Sequence, residues 1–221
     1  MRAGGPRLIR AAYSSETITV YQAYPPDLAD ASVQAGTLVP PFRRDRMTWI
    51  KPSFGWMMHR SGWATKPGQE RILSIVISRS GFEWALGHAC LSAFTRTLYD
   101  SPQDWSAAKA DSPVRVQWDP GRSLTGDRLP GRAIQVGLSG AAVQRYADEW
   151  ITSITDITDL VWDTHKLVQA GQMLQARREL PVERIYPVDY ALAVRIGADP
   201  PPAGPQLTGV HQPPGTTTPP P

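Results

Sequence analysis

Apolar and polar positions change rhythm several times along this chain, and each change marks an element. Residues 17–24, TITVYQAY, alternate with period two and are rich in β-branched and aromatic side chains, which predicts a strand. Residues 25–36 open on Pro-Pro-Asp and close on Gly, the frame of a helix. RMTWIK (46–51) reads as a short strand, and PSFGWMMHRSG (52–62), with Pro at its start and Gly at its end, as a helix. RILSIVIS (71–78) is an almost unbroken apolar run and predicts a strand at the centre of a sheet. SGFEWALGHACLS (80–92) predicts a helix capped by Ser80. PVRVQW (113–118) and RAIQVGL (132–138) are two further strands joined by a Gly- and Pro-containing loop. Ser139 is placed to cap a helix running to about Ile151; residues 155–171 follow as another helix and MLQARREL as a last helical piece.

This order predicts an α+β single domain, with a mixed or antiparallel sheet of about five strands packed by helices. The pattern lacks the regular strand–helix alternation of a doubly wound fold. The domain is expected over residues 8–195, after a flexible stretch at 1–7. Residues 200–221 contain nine prolines and almost no large apolar side chains, so 196–221 reads as a disordered, Pro-rich tail. A domain of this size buries a core without staples.

Composition removes several classes. One cysteine among 221 residues excludes an internal disulfide and a thiolate zinc site, and fits a reducing cytoplasm. No apolar run approaches the length of a membrane span, and no metal site is expected. There is no Gly-rich phosphate loop, no dinucleotide glycine fingerprint, no zinc-protease helix and no serine-hydrolase elbow. Cys90 and His88 lie two residues apart, which on a helix places them on different faces, so Cys90 reads as a buried structural thiol.

Charge changes the picture more. The net charge is +3, but residues 43–79 carry eight basic and two acidic side chains, so that segment sums to +6 and the remainder to −3. Within it, Trp49, Trp56 and Trp63 recur every seven residues, interleaved with Arg46, Lys51, Ser53, His59, Arg60, Ser61 and Lys66. A hydrophobic seam would give the same spacing, but Pro52, Gly55 and Gly62 interrupt any continuous helix. Indole faces between cations are suited to a nucleotide: a ring stacks on the base, and cations and hydroxyls hold phosphate oxygens. A helix starting near Ser53 would add free backbone N–H groups beside Lys51.

VYQAYPPDLADA, RDRMTWIKPSFGWMMHRSGWATKPGQE, PVRVQWDP and IQVGLSG resemble the hallmark segments of the family labelled domain of unknown function 4291, and the resemblance spans about residues 8–187. That family label implies no activity, and no residue role is carried over from it. His59 stands where members of the family have a large aromatic residue. The opening strand and the helix ending at Gly36 are also similar to the start of ADP-ribosyltransferase-like domains, although Gln22 stands where those carry His or Arg. The likeness implies an alternative chemistry that uses a nicotinamide dinucleotide.

Arg115, Gln117 and Asp119 alternate along one strand and project from one face, with Arg132 and Gln135 on the next strand. Asp119 is the best general-base candidate. Asp156, Asp159 and Asp163 have helical spacing, for which an acidic first turn is the simplest account. Lys51 lacks the Asp-Gly that follows the nucleophilic lysine of ligases, so clamping a phosphate is its expected role. The sequence thus predicts a nucleotide- or RNA-phosphate-handling enzyme of the RNA end-processing transferase or ligase type. Lys51, Arg60, His59 and Asp119 are its catalytic candidates. Gln22, Arg46, Trp49, Ser53, Trp56, Ser61, Trp63, Lys66, Arg115 and Arg132 are its binding candidates. ATP, GTP or NAD is the expected cofactor class. A nucleic-acid-binding module without chemistry is the other alternative.

Overall fold

In a computed structural model of the chain, residues 5–200 are described. The elements run β1 (Arg10–Ala11), β2 (Thr17–Tyr24), α1 (Pro26–Ala35), β3 (Thr48–Ile50), α2 (Phe54–Ser61), β4 (Arg71–Ser78) and α3 (Arg79–Gly87). They continue through β5 (Ala89–Leu91), α4 (Pro102–Asp111), β6 (Val114–Arg122), β7 (Arg128–Leu138), α5 (Ala141–Arg145) and a π-helical turn, Tyr146–Trp150. The last elements are β8 (Ile151–Asp156), α6 (Thr158–Gln169), α7 (Met173–Glu179), β9 (Arg184–Ile185) and α8 (Tyr190–Ile196). The class is α+β, as the sequence predicts, but the strands divide among three sheets.

β4 is the middle strand of the first sheet, antiparallel to β2 on one side and β8 on the other. Its apolar run explains the position, because Ile72, Leu73, Ile75 and Ile77 are all fully buried. The second sheet has the order β3-β7-β6-β5; its long β6–β7 hairpin is antiparallel and β5 joins in parallel. β1 and β9 form a small third sheet. The first two sheets meet at one point, where Tyr21 of β2 and Lys51, just beyond β3, exchange backbone hydrogen bonds of 2.8 and 3.2 Å. Lys51 therefore sits on the seam between sheets.

Two cores result. The larger lies between the sheets and helices α3, α5 and α8. The smaller packs Phe54, Met57 and Met58 of α2 against Tyr21, Ile72 and Val161. At 25 cal/mol per Å² of apolar surface, each such buried side chain contributes about 1.5–3 kcal/mol, which fixes α2 against the sheet. Gly62, at φ +60°, ends α2 in the left-handed region that glycine adopts without strain.

Several boundaries differ from the sequence expectations for identifiable reasons. The expected helix over 80–92 stops at Gly87 because Ala89–Leu91 pair with β6, and its cap is Ser78, which accepts from Gly81 N, rather than Ser80. Ser139 does not cap the next helix; its hydroxyl donates to the Pro113 carbonyl, and the helix begins after Gly140. Ile151–Asp156, split between two expected helices, is strand β8; its β-branched Ile and Thr residues favour a strand, but the two isoleucines stand three apart, across a register shift against β4, so no alternation shows in the sequence. Helix α4 and helix α8 were not expected. Arg7 N donates to Asp199 and Arg132 N to the Pro6 carbonyl, so residues 6–7 belong to the fold and close it against its far end. Residues 196–199, expected in the tail, are likewise ordered: Ile196 ends α8, Gly197 caps it and Asp199 N donates to the Arg7 carbonyl, while residues 1–4 and the Pro-rich stretch from 201 lie outside the described residues. Among the described residues no helix is long and apolar enough to cross a membrane.

Candidate functional site

A cleft of about 600 Å³ opens beside the seam. Its floor comes from β2, β3 and the β6–β7 hairpin, and its rim from α2 and the turn after it. Gln22, Trp49, Lys51, Trp56, His59, Arg60, Lys66 and Asp119 all line it. Eight of the fourteen candidate site residues therefore come together, including two from outside the central block, Gln22 and Asp119.

The floor is built to hold polar groups in fixed orientation. Asp119 accepts from two side-chain amides, Gln117 Nε2 at 2.8 Å and Gln135 Nε2 at 2.7 Å. Gln117 and Gln135 are direct cross-strand partners, so the pleat of β6 and β7 aims both at one carboxylate. On the opposite wall, Gln22 accepts from the Tyr146 hydroxyl at 2.8 Å and donates to Thr48 Oγ1 at 2.6 Å. Tyr24 OH lies 3.3 Å from the same threonine oxygen. Trp49 rests over Gly137, where any Cβ would come within 3.0 Å of the indole, so glycine there sets the ring's height.

Lys51 is 7% exposed, and its ammonium donates to the Trp49 carbonyl at 3.0 Å. Burial first, and then Arg60, lower its pKa against the opposing pull of Asp119, to about 8. At pH 7 most of the molecules still carry the charge. His59 lies at the rim, stacked on Trp56 at 5.4 Å between ring centroids. Burial, then Arg122, Lys66 and Arg60, hold its pKa below the ordinary histidine value, so the imidazole is largely neutral. Lys66 Nζ donates to the Arg60 carbonyl at 2.7 Å and bends the post-helix turn toward the cleft. The Trp56 indole N–H is buried and has no acceptor among the described residues.

Other candidates are placed elsewhere. Arg46 is exposed and does not line the cleft. Ser61 is fully buried and bonds within its own turn. Arg115 turns back to the carbonyls of Lys109, Ser112 and Val114, holding the end of α4. Trp63 lies beyond Gly62, stacked on His165 in a third cavity of about 420 Å³. Ser53 and Arg132 line a separate cavity of about 660 Å³ at the other end of α2, together with Arg10, Arg122 and Arg177. The anion at the start of α2 is the chain's own Glu183, which accepts from Phe54 N at 2.5 Å. That N-terminus faces this second cavity and not, as the sequence suggests, the Lys51 side. Much of the basic segment is neutralised locally: Arg43 pairs with Asp45, Arg44 with Asp148, Arg71 with Asp156 and Arg79 with Glu83. Asp156 is thus on β8 beside Arg71, while Asp163 on α6 pairs with Lys166. Cys90 is buried on β5 against Tyr99, whereas His88 stacks on Trp84.

The sequence reading missed Thr48, Tyr24 and Tyr146, whose roles exist only through contacts across the fold, and Glu183, which reaches α2 from well over a hundred residues away. A search of curated proteins gives no match. A family profile does match residues 8–186, which takes in the cleft, the seam and all of the second cavity but Pro6: the chain belongs to the family described as Domain of unknown function (DUF4291).

Proposed function

We propose that this protein is an enzyme acting on nucleotide phosphates, of the transferase or ligase type, with its chemistry in the Lys51 cleft. The observation that carries this reading is the convergence of Lys51, Arg60 and Lys66 on one concavity that also holds a single, rigidly oriented carboxylate, Asp119. A buried lysine with two rim cations suits the oxygens of a phosphate, and charge in a partly desolvated cleft is worth more than in water. Trp49, and the edge of Trp56 that lines the cleft, offer indole surface for a base.

Within this reading each group has a task. Lys51 holds a non-bridging phosphate oxygen. Arg60 and Lys66 neutralise charge that develops on the transferred group. Asp119, clamped by Gln117 and Gln135, accepts the proton of the attacking hydroxyl through its remaining lone pairs. His59, largely neutral at the rim, is placed to exchange a proton with the leaving side. Rigid placement by side-chain amides lowers the cost of orientation.

Calorimetric titration with ATP, GTP, NAD and short RNAs bearing 5′ or 3′ phosphates tests the proposal. Binding of at least one phosphate ligand, lost in Lys51→Met, is the expected result. No binding by any of them, or unchanged binding by the variant, refutes it. Selective binding of NAD would instead favour an ADP-ribosyl transfer reaction, in which Gln22 would contact the dinucleotide.

A further inference from the structure

Three cavities border α2, and each adjoining pair shares a lining residue, so that together they form a belt around the helix. His59 lines both the Lys51 cleft and the Trp63 cavity, and Leu124 lines both the Trp63 cavity and the arginine cavity. The belt therefore passes from Lys51, Arg60 and Lys66, across the parallel rings of Trp63 and His165, to Arg10, Arg122, Arg132 and Arg177. Those two rings are 4.7 Å apart and only 3° from parallel. The turn that presents Trp63 is held in a costly conformation: Trp63 and Ala64 both have left-handed backbone, at φ 58° and 63°, directly after Gly62. Non-glycine residues adopt that region at a cost, and such strain collects where a side chain must be aimed.

We propose that the guest of the Lys51 cleft is the end of a single-stranded polynucleotide, whose body follows this belt over the Trp63–His165 stack into the arginine cavity. The proposal rests on the nucleotide-phosphate reading of the cleft and extends it from a mononucleotide to a polymer. Charge supports it. Only two carboxylates, Asp119 and Glu183, line the belt against seven Lys and Arg side chains. Glu183 is a weak deterrent, because it is engaged with Phe54 N and burial pushes its pKa up to about 7. Composition supports it too. The arginine cavity is rimmed by Leu8, Leu124, Leu129 and Leu180, apolar surface suited to base faces between phosphate contacts. The geometry of α2 sets the length. Its 8 residues span about 12 Å, which a chain stacked at about 3.4 Å per nucleotide covers in about four nucleotides.

The experiment is an anisotropy titration of the full chain with end-labelled single strands of one to about eight nucleotides, in RNA and DNA versions, at several salt concentrations. Affinity is expected to climb about tenfold or more between one and about four nucleotides and then level off. The double substitution Arg10→Gln/Arg177→Gln is expected to abolish that gain and to reduce the salt slope by about 1.4, while mononucleotide affinity stays within about twofold. Trp63→Ala should also lower the gain, and Trp63→Phe should restore it. Mononucleotide binding without any gain in length overturns the path alone. Failure of every length overturns the path together with the cleft reading. Equal binding of a polyglutamate of matching charge, or of a blunt duplex, overturns the path as well. A gain confined to RNA or to DNA supports it and identifies the polymer.

Discussion

The cleft and the arginine cavity flank the same short helix, yet they handle charge in opposite ways. In the cleft, nearly every polar group has a fixed partner: Asp119 has two amides, Gln22 has a tyrosine and a threonine, and Lys51 has a carbonyl. In the arginine cavity, Arg122 and Arg132 donate to the Gly126 and Trp118 carbonyls, Arg10 and Arg177 line the wall with leucines and prolines, and the one carboxylate is drawn into capping α2. Each region buries one titratable group, and burial pushes each toward its neutral form. For Lys51 that still leaves a cation at pH 7; for Glu183 it removes part of an anion. Burial thus weakens a cation in the cleft and an anion in the arginine cavity, and both regions remain net positive. On the proposed reading, side-chain partners around a single carboxylate mark the cleft as the place for chemistry, and a larger excess of cations marks the other cavity as the place for holding.

The strongest way to break this comparison is Lys51→Met. Loss of one charge-assisted contact of about 1.5–3 kcal/mol predicts a ten- to hundredfold loss of phosphate-ligand affinity. Wild-type affinity should itself fall as pH rises through about 8, where the ammonium deprotonates, and the variant should lack that dependence. Stability should move the other way. The folded pKa lies below the ordinary 10.5, so between about pH 8 and 10.5 the unfolded chain binds more protons and the wild type gains stability with rising pH. Lys51→Met, free of that penalty, should therefore melt no lower than wild type at pH 7. A variant that melts many degrees lower would show that Lys51 holds the seam between sheets and would undercut its assignment to the site.

Glu183→Gln sharpens the same contrast from the other end of α2. The folded pKa, about 7, lies above the ordinary 4.5, so the wild type is relatively most stable below pH 4.5 and loses that contribution as pH rises through 7. Glutamine keeps an oxygen for Phe54 N without the charge. The variant should match wild type near pH 4.5 and exceed it by about 1–3 kcal/mol at pH 8, read from denaturant midpoints. The two variants therefore have opposite pH signatures: the advantage of Lys51→Met fades as pH rises, and that of Glu183→Gln grows. Equal denaturation curves for Glu183→Gln and wild type across this range would mean that Glu183 is solvated, and the arginine cavity would then carry a full anion.

Much of this arrangement was legible in the residues. The β2 alternation, the apolar run of β4 and the Pro-to-Gly frame of α2 each follow from a local rhythm, and the structure keeps them close to their expected bounds. The concentration of cations and tryptophans around Lys51 pointed to the cleft because several of them lie on consecutive elements that meet at the seam. What was not legible depends on distant pairing. Ala89–Leu91 became a strand only because β6 was available to accept it, and Arg115 left the site only because α4, unseen in the pattern, supplied carbonyls. The reversal at α2 has the same origin. Its N-terminus promised an anion beside Lys51, but Glu183, remote in sequence, took the place. Helical dipoles are local, whereas the choice of anion is tertiary.

The smallest expected effect tests whether segmental charge or placement matters. Arg44 belongs to the basic stretch as much as Lys51 does, but it lies outside the cleft and pairs with Asp148 at 2.7 Å, with side chains 34% and 54% exposed. Pairs as exposed as this are worth about 0–1 kcal/mol, since water screens the attraction and ordering two long side chains costs entropy. Arg44→Ala should therefore change stability by no more than about 1 kcal/mol and leave phosphate-ligand affinity within about twofold at 0.15 M salt, where an exposed charge already paired with a carboxylate and outside the cleft is largely screened. A loss approaching that of Lys51→Met would mean that the ligand reads the summed field of residues 43–79, not the cleft. The comparison between locked and loose charge would then give way to a simpler account, in which any basic surface serves.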